Sequence, residues 1–424
     1  MSGAPWLHEA RDAASARIFE LDLDGRRFHL PLGGDDLTLA LLNNALFTWL
    51  PATLAWRVDG DDAGLVRAFE RLTAPVSWGT PSVVGGWCAR ANGRSLRRRA
   101  WSEAPPPAVA QAVPPSLQRR VLGIDVGGSD LKLVVVQDRE ELARSALVWP
   151  RPLAELLRDD ALLDVLSDAI APLTAALDGP VDAIGLSWPD HVVAGRIVGG
   201  LTSKTRSLTS AWGDAAYWAA FEQRVAALPA RLAARLDAPV HTLSDGAAAA
   251  WRLAQHTTGP ALALALGTSL TAAWVDADGA PSDRPAYASG LAIALDGPAH
   301  SATGLRGCAQ ASATQTALLA ALGIADRHPA QALQDVLLAH TVARRDALAH
   351  AGRGLGALVR ELCAWLPEPP VEVHLYGRLV AGGAGSELLL QVARDVSSLD
   401  LQQGSSDEAV FGQARGAARY GGAR

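Results

Sequence analysis

The sequence predicts an α/β protein with covered sheets, preceded by a small α+β unit. Three observations carry this expectation. From about residue 119 onward, short apolar segments alternate with long stretches of helical periodicity, as strands covered by crossing helices do. Just before that point, Glu103 to Pro115 holds Pro105, Pro106, Pro107, Pro114 and Pro115 among alanines, the composition of a semi-rigid extended spacer. Ahead of the spacer, the first hundred residues carry strand and helix patterns of their own. The expected organisation is an N-terminal α+β domain over 1–104, a linker over 105–118 and an α/β region over 119–424.

Composition sets the outer bounds. The chain has 424 residues, 49% apolar and 19% charged, enough for a sizeable core and no sign of disorder. A net charge of −6 gives no general attraction to nucleic acid or acidic membranes. Cys88, Cys308 and Cys363 lie far apart with no CxxC pair, so neither a zinc knuckle nor a disulfide framework is expected. The apolar run from Pro260 to Leu266 is too short to span a bilayer, and Glu9 and Asp12 interrupt any secretory core. A soluble, cytoplasmic protein is the expectation. Only Lys132 and Lys204 are lysines among the 38 Lys and Arg residues. Where arginine is the default cation, a retained ammonium points to chemistry a guanidinium cannot do.

In the N-terminal unit, residues 17–32 alternate as two strands around Asp24-Gly25. Leu39, Leu42, Leu46 and Leu50 stand at helical spacing and Pro51 ends that helix. Residues 63–72 read as a second helix. Residues 78–87, rich in glycine, proline and tryptophan, read as a loop. Arg94, Arg97, Arg98 and Arg99 form a basic cluster with two readings, a solvated patch or a phosphate or polyanion contact. Past the linker, strands are expected at 121–126, 131–137, 181–187, 238–243, 261–266, 270–275 and 371–376. Helices are expected at 153–177, 214–236, 245–257, 307–322, 329–366, 384–397 and near 407–419.

Five stretches carry chemistry. Val121 to Val136 reads as strand, glycine turn, strand. Gly127, Gly128 and Ser129 make a turn able to aim N–H groups at a phosphate. Asp125 stands where it can hold magnesium through water, and Lys132 adds positive charge. Next, Ala183 to Trp188 is a buried strand leading to Pro189, Asp190 and His191, a loop placed where α/β folds bind ligands. The stretch Gly199 to Thr205, with Lys204, fails the P-loop spacing: Val198 and Ser203 stand where glycines belong. It reads as a polar loop near an acceptor. Third, His241 to Trp251 puts Asp245 at a strand–helix junction. Asp245 is either a helix N-cap or a general base for an attacking hydroxyl. Fourth, Gly267 and Thr268 form a second turn between apolar strands. Fifth, Val371 to Gly383 runs from a strand through Gly377, Gly382 and Gly383 into a helix, a wall that admits a flat ring and a helix start that favours phosphate.

These five stretches, in this order, resemble the actin, heat-shock-chaperone and sugar-kinase superfamily, and most closely its ROK group of sugar kinases and sugar-responsive repressors. The resemblance covers about 119–424. It implies two ribonuclease-H-like lobes with a nucleotide between them, an actin/hexokinase architecture behind the small N-terminal domain. It implies Asp245 as catalytic base, because Ser244 to Ala247 sits where the family has Asn-Asp-Ala-Asn. Gly127, Gly128, Ser129, Lys132, Gly267 and Thr268 would meet the phosphates, Gly377, Gly382 and Gly383 the adenosine, and Asp190, His191 and Lys204 the acceptor.

The implied reaction is transfer of the γ-phosphoryl group of ATP, with magnesium at Asp125, to a hydroxyl of a sugar or sugar-like polyol. The zinc ligands of many members are absent, so no structural zinc is expected and polyphosphate stands beside ATP as donor. The family's sugar-contacting Glu-x-Gly-His falls on Ala288, Ser289, Gly290 and Leu291, without its carboxylate or imidazole. A catalytically inactive sensor or interaction protein and a ROK-type regulator therefore stand as alternatives. A homodimer is implied by the resemblance alone; membrane and nucleic-acid partners are not expected.

Overall fold

The computed structural model of the chain describes residues 6–14, 17–104, 119–138, 140–199, 205, 208–209, 215–267, 269–282, 287–300, 302–324, 329–338, 341–366, 368–380 and 382–424. The expected linker at 105–118, Lys204 and Thr268 lie outside the described residues.

The apolar strand Arg120–Val126 is the middle of a five-stranded sheet ordered Val240–Ser244, Ala183–Trp188, Arg120–Val126, Asp130–Gln137, Glu140–Val148. The first two strands run parallel to the middle one and the last two form an antiparallel meander with it. Helices Leu162–Ala175 and Leu228–Leu236 bury Leu166, Ile170, Leu228 and Leu232 against Ile124 and Leu186. The helix Ser406–Gly422 packs on Arg120–Val126 and Ala183–Trp188. It comes so close that a Cβ at Gly185 would overlap the Ala417 carbonyl.

A second sheet repeats the plan. Its order is Leu270–Val275, Ala261–Leu266, Glu372–Tyr376, Leu401–Gln403, an antiparallel hairpin followed by two parallel additions. Both hairpin strands are buried along their whole length, which is why they read as continuous apolar runs rather than alternating ones. Two such lobes, each a hairpin with parallel crossovers, are the ribonuclease-H-like actin/hexokinase architecture.

Residues 6–104 form a third sheet, Arg26–Pro31, Ile18–Leu23, Thr53–Val58 and Arg97–Arg98, with helices around it. Its core is continuous with that of the second lobe: Phe19, Leu41 and Phe47 belong to one cluster with Leu262, Leu264 and Leu358. The helix Asp35–Trp49 is buried at every position from Leu37 onward, as a helix between two layers must be. Glu361 of the second lobe ties it down. Its Oε1 accepts from Asn44 at 2.8 Å, Trp365 at 2.8 Å and Arg11 at 3.1 Å. No helix among the described residues is long and apolar enough to cross a membrane.

Several expectations need correction. Residues 78–87 are not simply a loop, since Ser82–Asn92 is helical. Gly85 is there for close packing: a Cβ would overlap the Leu72 carbonyl of the neighbouring helix. The expected helix 153–177 breaks after Leu153–Arg158, where Asp160 takes a left-handed φ of 55°. The expected helix 329–366 is two helices, Pro329–Leu338 and Val342–Cys363, the second capped by the Thr341 hydroxyl. The edge strand Glu140–Val148 had no expectation; it is mostly exposed and lacks an apolar run. The arginine cluster is largely spent internally. Arg97 pairs with Glu103, Arg98 with Asp62, and buried Arg99 with Asp22.

Candidate active site

The first turn is fixed from both sides. Parallel pairing sets Ser187 opposite Asp125, and the Ser187 hydroxyl donates to Asp125 Oδ1 at 2.8 Å. The Gly127 N–H closes the turn on the Asp130 carbonyl at 2.9 Å, and the Trp149 indole N–H donates to the Gly127 carbonyl at 2.9 Å. Antiparallel pairing sets Lys132 opposite Asp125. Its Nζ lies 3.4 Å from Asp125 Oδ2 and 2.7 Å from Asp130 Oδ1. Burial works to lower the Lys132 pKa, but Asp125 and Asp130 outweigh it and hold the ammonium above its usual value.

Asp245 directly follows the first lobe's last strand, Val240–Ser244. The capping role falls one residue earlier: the Ser244 hydroxyl accepts from the Ala247 N–H at 3.1 Å. Asp245 is the first helical residue, its Oδ1 accepting from the Gly246 N–H at 2.9 Å. The second turn is closed by the Gly267 N–H on the Ser269 carbonyl at 3.0 Å. Gly377 has φ 112°, and a Cβ there would overlap the Leu266 carbonyl, so only glycine serves.

One cleft gathers these groups. Asp125, Gly127, Gly128, Ser129, Lys132, Asp245, Gly267 and Gly377 all line it. Its volume is about 110 Å³, below the roughly 300 Å³ of the smallest usual ligand sites. In this conformation it suits phosphate groups better than a whole nucleotide.

Of the lining residues that sequence reasoning missed, two are charged. Asp130 shares the Lys132 ammonium, and Arg378 crosses from the second lobe to pair with Asp130 and approach Ser129 Oγ at 3.5 Å. The signal was present in both cases, a carboxylate inside the glycine turn and an arginine inside the glycine wall.

Other expected residues stand elsewhere. Gly382 and Gly383 have φ of 125° and 92° and lead into the helix Ala384–Ser397; they are not among the described residues lining the cleft. Pro189 lines it, but Asp190 and His191 are buried, with 2% and 0% exposure. His191 sits in an aromatic cluster, its ring centroid 4.7 Å from Tyr287, 5.4 Å from Trp87 and 6.4 Å from Phe47. Burial pushes its pKa down to about 3. Neither ring nitrogen has a hydrogen-bond partner among the described residues. His191 is a core residue here, not a lining one. Its two tryptophan and phenylalanine neighbours come from the N-terminal unit, beyond the reach of any local motif.

No group of three or more His, Cys, Asp or Glu side chains suited to a metal ion is present among the described residues. Asp125 fits magnesium only in the hydrated manner that ion favours, with one or two carboxylates and several waters.

No protein-family model matches the chain, and no curated protein matches it. Solved structures do. A ROK family glucokinase from Streptomyces griseus, solved in complex with glucose and AMPPNP, superimposes with a TM-score of 0.54 at 17% identity, over 71% of this chain and 99% of that one. The ROK hexokinase from Thermus thermophilus does so with 0.51 at 20% identity, over 71% and 97%. The fold is thus that of the ROK sugar kinases, reached at low sequence identity.

Proposed function

We propose that the chain is a phosphotransferase that moves the γ-phosphoryl group of ATP to a hydroxyl of a sugar or sugar-like polyol. The observation that carries this reading is the single cleft onto which both glycine turns, Asp125, Lys132 and Asp245 open. The turns 127–129 and 267–269 would cradle the phosphates with backbone N–H groups other than those of Gly127 and Gly267, which are spent within the turns. Lys132 would balance phosphate charge. Asp245 would orient the acceptor hydroxyl and take its proton as the oxygen attacks phosphorus and the bond to ADP breaks. Magnesium arriving with the nucleotide would neutralise phosphate charge, with Asp125 holding it through water and Ser187 fixing the carboxylate. The fold adds support, since the Streptomyces griseus glucokinase was solved with glucose and AMPPNP.

The test is ADP release from ATP and magnesium across a panel of sugars, amino sugars and cyclitols, with Asp245→Asn beside the wild type and polyphosphate as a second donor. The expected result is turnover with one acceptor class, reduced about 10²–10⁴-fold in the variant. Turnover unaffected by the variant, or none with either donor, refutes the reading.

A second reading, an inactive sugar- or nucleotide-sensing protein, is favoured by one observation. Ala288, Ser289, Gly290 and Leu291 bring no carboxylate or imidazole and are buried. Tight nucleotide binding without any turnover would select it.

A further inference from the structure

Arg378 reaches from one glycine turn to the other. Its backbone starts at the second turn: Gly377, at φ 112°, sits so close that a Cβ would come within 2.0 Å of the Leu266 carbonyl, one residue before Gly267. Its guanidinium ends at the first turn, where Nη2 pairs with Asp130 Oδ2 and Nη1 approaches Ser129 Oγ at 3.5 Å. Arg378 follows the second lobe's strand Glu372–Tyr376, and Asp130 opens the first lobe's strand Asp130–Gln137. The side chain is therefore a bridge across the cleft that both residues line.

The Asp130 carboxylate stands where an anion is expected. It is only 7% exposed. Its Oδ1 takes the Lys132 ammonium at 2.7 Å and its Oδ2 the guanidinium. These charges lie against the turn itself: a Cβ on Gly127 would come within 2.7 Å of Asp130 Oδ1 and 3.0 Å of Lys132 Nζ. The two cations differ in what they can release. Lys132 Nζ is held between Asp125 and Asp130, on a side chain 13% exposed, whereas the Arg378 side chain is 38% exposed. Among the described residues the guanidinium bonds only to Asp130 and Ser129, and it has more donors than those contacts use. The charged groups lining the cleft are Asp125, Asp130 and Asp245 against Lys132 and Arg378. A phosphate chain entering this excess of carboxylate needs a cation that can leave its partner.

We propose that Arg378 is a ligand of the donor's phosphate chain, parked on Asp130 until the chain arrives. The chain's oxygens accept from the planar fork in pairs, as phosphates do from arginine. Gly377 stays locked on Leu266 while the guanidinium turns from carboxylate to phosphate, and Asp130 keeps Lys132. Asp130 thus competes with the phosphates for Arg378. The ligand class is the end of a linear triphosphate, whether of a nucleotide or of inorganic polyphosphate. The word donor rests on the phosphotransferase reading; the anion site does not.

Calorimetry on the full chain measures binding of magnesium ATP, magnesium tripolyphosphate and adenosine to wild type, Arg378→Gln, Arg378→Lys and Asp130→Asn, each checked for folding by circular dichroism. In Arg378→Gln both phosphate compounds should bind at least about tenfold more weakly, with part of the loss recovered in Arg378→Lys. Asp130→Asn should bind both more tightly, by about threefold or more, because the competing charge is gone. Adenosine should not distinguish the proteins. The sign of the Asp130→Asn effect separates the proposal from a merely structural bridge, which weakens binding whichever partner is removed. Equal binding of the phosphate compounds in wild type and Arg378→Gln overturns the proposal. So does weaker binding in Asp130→Asn, or a loss for ATP that spares tripolyphosphate. The more tightly bound of the two phosphate compounds names the source of the chain.

Acceptor-dependent ADP release by the same proteins separates the two readings. Turnover with donor binding unchanged in Arg378→Gln overturns the proposal and leaves the phosphotransferase standing. Binding that depends on Arg378, without turnover on any acceptor, leaves the anion site standing and defeats the phosphotransferase. Absence of binding by both wild type and Asp130→Asn defeats both. Should Arg378→Gln fail to fold, Arg378→Lys decides, with phosphate binding at least about threefold weaker as the supporting result and unchanged binding as the refuting one.

Discussion

Replacing His191 by phenylalanine gives the sharpest check on the aromatic cluster. The imidazole is fully buried among Tyr287, Trp87 and Phe47, with Asp190 beside it in the chain. Burial lowers its pKa from 6.5 to about 3. A folded-state pKa below the unfolded one means that the unfolded chain takes up a proton the folded chain refuses. Stability is then full above the unfolded pKa and declines as pH falls towards the folded one. At pH 5, about 1.5 units below the unfolded value, the cost is about 2 kcal/mol at roughly 1.4 kcal/mol per unit. His300, lowered to about 4 by burial, adds a similar amount. The wild type should therefore lose about 4 kcal/mol from these two groups between pH 7.5 and 5, and His191→Phe about 2 kcal/mol. Carboxylate contributions are common to both proteins and cancel in the difference. Urea midpoints at pH 7.5, 6 and 5, at constant ionic strength and with m-values compared, measure it. Parallel pH profiles for the two proteins would refute the reasoning, and would mean that Asp190 or water stabilises the imidazolium inside the cluster.

Three further outcomes follow from buried charge and backbone geometry. Lys132→Met leaves Asp125 and Asp130 without their shared ammonium; the expected loss is about 3 kcal/mol in chemical denaturation, with weaker nucleotide binding by calorimetry. Glu361→Ala strands Arg11, Asn44 and the Trp365 indole under the N-terminal unit, and should cost about 3–5 kcal/mol, with hydrogen exchange rising first in residues 35–49. Gly377→Ala forces a Cβ onto the Leu266 carbonyl at positive φ; a loss of about 1–3 kcal/mol and a lower thermal midpoint are expected, and an unchanged midpoint would show that the turn can relax.

What the sequence made legible was local. The hairpin strands Ala261–Leu266 and Leu270–Val275 stand where continuous apolar runs placed them, because a strand buried on both faces announces itself in every residue. The glycine turns at 127–129 and 267–269 and the junction at Asp245 were legible for a related reason: strand, turn and helix start are written within about ten residues. The cleft these pieces build is a product of pairing register, as with Ser187 opposite Asp125, and register between distant strands leaves no local mark. The helix Ser82–Asn92 was hidden because Gly85 and Gly86 read as loop until the Leu72 carbonyl and the Val76 side chain supply the close neighbours that need them.

The stretch 288–291 joins these two kinds of information. In the sequence it is a stretch without a carboxylate or an imidazole, Ala288, Ser289, Gly290 and Leu291. In the fold it is a contact surface. Ser289 is turned inward, its hydroxyl accepting from the Leu270 N–H at 2.6 Å. The Gly290 and Ala292 backbone groups are taken by Asn43 and Asn44, 247 and 248 residues away in the chain. A glutamate at 288 or a histidine at 291 would stand at a fully buried position, where an unpaired charge costs several kcal/mol. The absence of polar side chains at 288 and 291 therefore suits the buried N-terminal helix packed over this stretch.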